Sequence, residues 1–326
     1  MTLTRRYLLC IAAATVTVLA MPVTGSAQNY PSRPVRIIVS FPTGGASDTV
    51  ARILASSLSE QIRQPVIVDA RPGGSGVIGV EIAKNALPDG YTLLLATVNT
   101  FALLPAFKPK LPYDPDKDFV ALSRVASGSD VMAVHPSLAV ATVADLVKLA
   151  KARPGQLNYG SSGNGTAQHL GGEMFNLLAG VKTVHVPYKG VVLALNDLFA
   201  GQLQFIIASP IFVMPHAKTG RIKVIATTGA KRNPLLPELP TVADVLPGFE
   251  MTAWQGMVVP AKTPAVIVNK LHAEIVKALR SPEVRELLAK QANTAHAESP
   301  AEFTAFIKAE RERFTRIAGQ VNITLD

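Results

Sequence analysis

Short apolar runs alternate with amphipathic stretches along most of the chain. Residues 35–39 read Val-Arg-Ile-Ile-Val, and Val50, Leu54 and Leu58 then recur at the spacing of one helix face. Further apolar runs of strand length begin near residues 66, 91, 119, 131, 157, 184, 203, 222 and 254. Strands that alternate with helices are typical of α/β folds with parallel sheets. The pattern predicts two α/β units, each with a mostly parallel sheet flanked by helices.

One strand-to-helix turn, Phe41–Asp48, joins the first predicted strand to the first predicted helix. Its sequence is Phe-Pro-Thr-Gly-Gly-Ala-Ser-Asp, in which the proline stiffens the turn and the glycine pair permits positive φ. Ser47 or Asp48 is expected to cap the helix. The N–H groups of the first helical turn would then form an anion site at the carboxyl end of a strand. Glycines that serve packing alone are an equally open interpretation of this segment.

A second turn of the same kind follows the strand near residues 157–159. It reads Gly-Ser-Ser-Gly-Asn-Gly-Thr over 160–166 and precedes a helix with Leu170 and Met174 on one face. If the two turns face each other across a cleft, an anion between them meets N–H donors from both sides. About four such bonds, each worth roughly 1.5–3 kcal/mol, would suffice for micromolar binding after the cost of ordering.

Residues 1–27 are interpreted as a secretory signal peptide. Arg5 and Arg6 form a basic start, residues 7–19 are mostly apolar, and Gly-Ser-Ala at 25–27 supplies small residues for cleavage. This apolar core is too short for a membrane span, and no other segment has the roughly 18 apolar residues that a span needs. Export by the ordinary secretory route is favoured over the twin-arginine route. The mature chain is expected to be an exported, soluble protein.

Charge and cysteine content limit the partners and the kinds of site that the chain can have. The net charge is +9, but the basic residues are scattered, so no nucleic-acid partner is predicted. A diffuse positive potential would collect anionic solutes, and an effect on solubility alone is equally open. Cys10, in the predicted leader, is the only cysteine. Disulfides, thiolate metal sites and cysteine nucleophiles are therefore excluded for the mature chain.

Catalytic and metal motifs are weak. The stretch 159–164 nearly matches a nucleophile elbow but has Asn164 where the motif needs glycine. Ser162 with His169 is the only hydrolase pair suggested, and no acid partner is evident; a ligand contact or a partly buried helix face are the other interpretations of His169. The histidines lack metal-site spacing, and the phosphate-binding motifs GxxxxGK and GxGxxG are absent. No metal and no cofactor are predicted.

With these residues in view, the mature chain resembles the substrate-binding proteins of tripartite tricarboxylate transporters, the TctC or Bug family. The motifs that carry the resemblance occur in order along nearly the whole chain, at residues 30–34, 41–48, 71–73, 88–92, 111–115, 117–119, 157–169, 184–190 and 239–241. The resemblance implies a two-lobed Venus-flytrap fold of the type II periplasmic binding protein kind. Residues 28–128 and 253–326 would form lobe 1, and residues 129–252 would form lobe 2.

The resemblance also implies a function without catalysis. A small carboxylate would bind between the lobes of a monomeric periplasmic protein and pass to the membrane subunits of a tripartite tricarboxylate transporter. Matched position by position, the family's carboxylate site falls on the two turns and on two further loops. Its residues here are Phe41, Pro42, Gly44, Gly45, Ala46, Ser47, Asp48, Thr97, Asn99, Ser161, Ser162, Gly163, Asn164, Gly165, Thr166, His169, Tyr188 and Lys189.

One departure bears on the ligand. Where relatives often carry a polar or acidic residue after the strand near 203–207, this chain reads Ile-Ala-Ser-Pro over 207–210. A less polar pocket end favours a monocarboxylate, or a carboxylate with an apolar or aromatic body, over citrate. Two other functions stay open at this point: a periplasmic sensor that presents its ligand to a membrane signalling partner, and an exported serine hydrolase.

Overall fold

The computed structural model describes residues 30–108 and 110–320, so the predicted signal peptide lies outside the described residues. The strands are β1 (Val35–Val39), β2 (Val66–Ala70), β3 (Thr92–Thr97), β4 (Phe119–Ser129), β5 (Val131–Val134), β6 (Asn158–Ser161), β7 (Val184–Pro187), β8 (Phe205–Ala208), β9 (Lys223–Thr227), β10 (Thr252–Pro260) and β11 (Thr294–Ala295).

The helices flank these strands, and among the described residues none is long and apolar enough to cross a membrane. They are α1 (Ala46–Ile62), α2 (Val77–Lys84), α3 (Leu104–Phe107), α4 (Pro115–Asp118), α5 (Val143–Ala152), α6 (Ala167–Ala179), α7 (Val191–Phe199), α8 (Pro210–Lys218), α9 (Ala265–Arg280), α10 (Pro282–Ala289) and α11 (Pro300–Ala318).

The strands form two sheets. A six-stranded sheet has the order β11-β4-β10-β3-β1-β2, and a five-stranded sheet has the order β7-β6-β8-β5-β9. In the first sheet β1 is parallel to β2 and β3, whereas β10 is antiparallel to β3 and β4. In the second sheet β6 is parallel to β7 and β8, whereas β5 is antiparallel to β8 and β9. The two-sheet α/β architecture is confirmed.

Both sheets are mixed rather than mostly parallel. The antiparallel pairs involve the strands at the two crossings, where the chain passes from one sheet to the other. The chain passes from β4 in the first sheet to β5 in the second with only Asp130 between them, and it returns from β9 to β10. Of these strands, β10 runs antiparallel to β3 and β5 runs antiparallel to β8, and both neighbours belong to strand–helix–strand units. Periodicity identified the strands, but strand direction depends on where the chain changes sheets.

Hydrogen bonds join the two crossings. Thr228 donates its backbone N–H (2.9 Å) and its hydroxyl (3.1 Å) to the carbonyl oxygen of Asp130. Met251 donates its amide to the carbonyl of Thr228 at 2.8 Å. The predicted lobe boundaries near 128 and 252 stay a prediction, since membership of a sheet does not by itself define a rigid unit.

Apolar faces explain the packing of the first sheet. Val50, Leu54 and Leu58 on α1 are buried and share a core cluster with Ile37 and Ile275. Each fully buried side chain of this kind contributes about 1.5–3 kcal/mol through loss of apolar surface to water.

Trp254 on β10 is fully buried and contacts Phe303 and Phe306 of α11 edge-on. Its indole N–H donates to the Glu310 carboxylate at 3.1 Å, so the polar end of the ring is satisfied. For Trp254 the sequence favours a core position over one at a domain joint, and the structure confirms the core position.

Several helices begin at the capping residues that the sequence predicts. Thr142 and Ser299 form capping boxes, and Ser281 caps α10 by accepting the amide of Val284. Thr263 precedes Pro264, a pattern that predicts a helix cap, but this prediction is wrong. Its hydroxyl donates to the carbonyl of Pro260 at 2.8 Å instead, and α9 begins without a side-chain cap.

Candidate functional site

A cavity of about 430 Å³ is lined by segments from both sheets. The first sheet contributes the turn after β1, the end of β3, the end of β4, part of β10 and the residues before β11. The second sheet contributes the loops after β6, β7 and β8. The lining residues are Phe41–Ser47, Thr97–Asn99, Gly128–Asp130, Ser162, Thr166–Gln168, Lys189–Leu193, Ser209, Pro210, Phe212, Ala253–Gln255 and Gln291–Asn293.

Four helices, α1, α6, α7 and α8, begin at this cavity, and their first-turn residues line it. The residues at the cap positions of α1, α7 and α8 are Gly45, Gly190 and Ser209, and none of them supplies a side-chain cap. The N–H groups of a helix's first turn have no partner within the helix, and the helix dipole adds positive potential there. With Lys189 also in the wall, this arrangement suits an anion.

The first turn holds its shape through a buried carboxylate. Gly44 has a φ of 78°, and its amide donates to Asp48 Oδ2 at 2.9 Å. Asp48 also pairs with Arg52 at 2.8 Å. Burial opposes ionisation of Asp48, but the bonds from Arg52 and the Gly44 amide lower its pKa overall. The expectation that Ser47 or Asp48 caps α1 is wrong, because Gly45 occupies the cap position and both residues lie inside the helix.

The second turn is tied to the protein interior. Ser161 Oγ lies 2.6 Å from His185 Nε2 and accepts the amide of Gly163 at 3.0 Å. The ring of His185 stacks on that of His169, with centroids 3.8 Å apart, and His169 Nδ1 accepts the amide of Gly165 at 3.1 Å. Burial, with the neighbouring His169, lowers the pKa of His185 to about 4 and keeps this ring neutral.

The structure brings many of the predicted site residues to the cavity but not all of them. Those in its wall are Phe41, Pro42, Gly44, Gly45, Ala46, Ser47, Thr97, Asn99, Ser162, Thr166 and Lys189. Those outside its wall are Asp48, Ser161, Gly163, Asn164, Gly165, His169 and Tyr188.

The residues outside the wall have structural contacts of their own. The Tyr188 hydroxyl donates to Asp197 Oδ2 at 2.6 Å. The carbonyl oxygen of Asn164 accepts a hydrogen bond from the Ser75 hydroxyl at 2.8 Å, which links a loop of the first sheet to the second turn. We therefore assign these residues, with Asp48 and His169, to support of the wall rather than to its surface.

The third predicted loop begins at the end of β3. Asn99 is only 4% exposed, and its side-chain amide donates to the carbonyl of Ser75 at 2.9 Å. The hydroxyls of Thr97 and Thr100 lie 3.2 Å apart. These bonds fix Thr97 and Asn99 at the edge of the first sheet.

Sequence reasoning missed part of the wall. Asp130, Gln168, Gln255 and Asn293 are its main additional polar residues. Asp130 follows Gly-Ser and precedes an apolar strand, a pattern also typical of an ordinary turn. The family resemblance placed a lobe boundary at 128–129, but no local pattern marked Asp130 as a residue of the wall. Of the stretch 207–210, from which a less polar pocket end was expected, Ser209 and Pro210 lie in the wall.

The geometry opposes a serine nucleophile. Ser162 lines the cavity, but His169 does not, and its Nδ1 is occupied by the Gly165 amide. Within this turn, the serine that contacts a histidine is Ser161, and only 1% of its surface is exposed. A nucleophile needs a general base within hydrogen-bond reach and access to substrate, and neither serine has both.

Comparison with known proteins finds one family and several relatives that match most of the chain. The pattern of the tripartite tricarboxylate transporter family receptor, TctC, matches residues 50–323. The chain is 36% identical to the UPF0065 protein in the tcbD-tcbE intergenic region of a Pseudomonas species, over 88% of this chain and 86% of that protein. It is 33% identical to Protein BugT of Bordetella pertussis, over 94% of each chain.

Solved structures agree in fold. A structure described as a periplasmic transporter superposes with a TM-score of 0.85 at 37% identity, covering 91% of this chain and 100% of the other. Rpa4515 of R. palustris with adipate gives 0.84 at 33%, covering 90% and 99%. MatC of Rhodopseudomonas palustris with bound malate gives 0.82 at 27%, covering 89% and 100%.

Fold and cavity are those of a periplasmic binding protein, with two mixed α/β sheets and a ligand-sized space lined by both. The chain belongs to the TctC family of tripartite tricarboxylate transporter receptors. The members of this family are transporter binding proteins rather than enzymes.

Proposed function

We propose that this protein captures a small carboxylate between its two lobes and delivers it to the membrane subunits of a tripartite tricarboxylate transporter. The observation that carries the proposal is the convergence of four helix starts on one cavity, three of them without a side-chain cap. The adipate and malate named for the two R. palustris relatives support a carboxylate as the ligand class.

The ligand carboxylate would bind at the first turn. Gly45, Ala46 and Ser47 line the cavity there, and the first α-helical bond of α1 runs from the Thr49 amide to Gly45. The amides of Ala46, Ser47 and Asp48 are therefore not used within the helix, whereas the amide of Gly45 donates to the carbonyl of Pro42 at 3.2 Å. Hydrogen bonds from such donors to a charged oxygen contribute about 1.5–3 kcal/mol each.

Ser162, Thr166 and Lys189 would contact the same ligand from the second sheet, since they also line the cavity. A ligand held by both sheets favours the arrangement in which the lobes are closed on it. Export through a signal peptide at residues 1–27 belongs to the proposal and would place the protein where a membrane transporter collects its substrate.

The test is a pair of measurements on the purified full-length product. Native mass spectrometry identifies any ligand that the protein retains from the cell. Calorimetric titration then compares unbranched carboxylates with the corresponding uncharged amides of equal size. We expect carboxylates to bind at least about 100-fold more tightly, because the amide removes the charge that the helix starts recognise. Equal affinity for acid and amide, or no binding of any carboxylate, would contradict the proposal.

A further inference from the structure

Asp130 is an acidic side chain in the wall of a cavity otherwise suited to anions. It is the single residue between β4 and β5, and its carbonyl oxygen accepts two hydrogen bonds from Thr228, so its backbone position is fixed. Only 6% of its surface is exposed.

The carboxylate of Asp130 has little compensation within the protein. Its one hydrogen bond comes from the side-chain amide of Gln168 at 3.3 Å, and in the described part of the chain it forms no ion pair. Burial raises its pKa to about 6, and the bond from Gln168 only partly offsets this. At neutral pH the group is therefore mostly charged, and a buried charge without a partner is costly.

Two further residues of the wall present acceptors without partners. Asn99 Oδ1 and Gln255 Oε1 are buried and have no hydrogen-bond partner among the described residues. The amide nitrogen of Asn99 donates to the carbonyl of Ser75, which fixes its oxygen as the unpaired atom. Gln255 lies opposite Thr97 in the register of β10 with β3, beside the same edge of the sheet. An unpaired buried acceptor costs about 1–3 kcal/mol.

We propose that the bound carboxylate also carries a hydrogen-bond donor, an ammonium or a hydroxyl group, which it presents to Asp130. This rests on the proposed function and narrows its ligand to amino- or hydroxy-carboxylates. A second carboxylate placed at Asp130 would meet a like charge in a desolvated site. A hydroxyl would supply one donor to the carboxylate, and an ammonium would supply three donors and the missing positive charge.

The apolar part of the wall would contact the hydrocarbon segment of such a ligand. Val191, Val192, Leu193 and Phe212 also line the cavity and suit a hydrocarbon segment. A wholly apolar body, the expectation drawn from residues 207–210, would leave Asp130 without a partner. The polar wall therefore changes that expectation from an apolar ligand to one with an apolar segment and a donor.

The experiment measures Kd for unbranched carboxylates of three to six carbons in which one carbon bears hydrogen, hydroxyl or ammonium. Wild-type protein should prefer a donor-bearing member over its unsubstituted analogue, and the better of the two substituents identifies the donor. Asp130→Asn keeps the shape but removes the charge. It should weaken an ammonium ligand about 10- to 100-fold and a hydroxyl ligand less, with little effect on the unsubstituted acid. A dicarboxylate such as adipate should bind more tightly to this variant.

Asp116→Asn is the matched control, since it removes the same charge at a residue outside the cavity wall that pairs with Arg311. Circular dichroism and thermal unfolding show whether each variant is folded. If Asp130→Asn fails to fold, the wild-type preference still decides, because unsubstituted acids that bind as tightly as every donor-bearing analogue overturn this inference alone. If no carboxylate binds in any arm, the proposed function fails together with it.

Discussion

The two glycine-containing turns that precede α1 and α6 have similar composition, but their backbone amides have different partners. Phe41–Asp48 places nearly all of its residues in the cavity wall, and its helix starts without a side-chain cap. Of the turn Ser161–Thr166, only Ser162 and Thr166 reach the wall. The amides of Gly163 and Gly165 are bonded to Ser161 and to His169, and Thr166 caps its own helix.

The difference shows that a glycine- and hydroxyl-rich helix start is not by itself a binding site. What matters is whether local side chains already accept the amide hydrogens. In the first turn Asp48 accepts the Gly44 amide and leaves the helix start uncapped, whereas the hydroxyls and imidazoles of the second turn satisfy most of its own backbone. We therefore expect the first turn to dominate affinity and the second to dominate local stability.

The largest effect is expected at Gly45. Its Cβ position lies 3.0 Å from the Pro42 carbonyl oxygen, and a branched side chain there would cover the helix start. Gly45→Val should weaken carboxylate binding at least about 100-fold, equivalent to the loss of roughly two charged hydrogen bonds. Calorimetric titration measures this. Gly319→Val is a control because Gly319 also has a negative φ and lies outside the cavity wall. Unchanged affinity in Gly45→Val would place the ligand elsewhere.

Ser161 and Ser162 are adjacent and should separate stability from binding. Ser161→Ala removes the acceptor of the Gly163 amide and the partner of His185, so we expect a loss of about 1–3 kcal/mol in the free energy of unfolding. Ser162→Ala removes a group in the cavity wall and should leave stability within about 0.5 kcal/mol while raising Kd. Urea unfolding and titration of both variants test the contrast, and the reverse pattern would contradict it.

The buried imidazoles of the second turn predict a pH dependence of stability. The pKa of His185 is about 4 in the folded protein because of burial and the neighbouring His169, against about 6.5 when unfolded. Between these values the unfolded state binds more protons, so stability is lost as pH falls from about 6.5 to 4.

His185→Gln isolates this contribution from other groups. His296, whose pKa is also lowered to about 4 by burial, acts in the same direction, and Asp130 acts in the opposite direction. Urea unfolding at several pH values should give a smaller slope of stability against pH for His185→Gln than for wild type. An equal slope in the two proteins would mean that His185 titrates normally in the fold.

The smallest effect on ligand affinity is expected at Ser75, in the loop before α2. The Ser75 hydroxyl donates to the carbonyl of Asn164 across the two sheets. Ser75→Ala should weaken ligand binding about two- to tenfold, the worth of one neutral hydrogen bond present when the lobes are close. Titration beside Ser57→Ala, at a helix residue outside the cavity wall, supplies the comparison. A tighter Kd in Ser75→Ala would show that the contact opposes binding.

Local patterns predicted the elements well because their causes are local. Apolar periodicity located the strands, and Thr142, Ser281 and Ser299 marked helix starts that the structure confirms. In the two cap predictions that failed, the side chain instead bonds to another group three or four residues away. The Thr263 hydroxyl donates to the carbonyl of Pro260 instead of capping a helix. Asp48 lies inside its helix, where its carboxylate accepts hydrogen bonds from Arg52 and from the Gly44 amide.

For the candidate site, sequence alone determined the two turns and the family resemblance, because these depend on residue type and spacing. Only the tertiary structure decided how much of each turn lines the cavity and that Asp130 joins its wall. Asp130 lies where the chain changes sheets, and its surroundings come from Gln168 and Thr228, which lie far from it in the sequence. Burial and hydrogen-bond partners of this kind depend on the packing of distant segments, which no local pattern encodes.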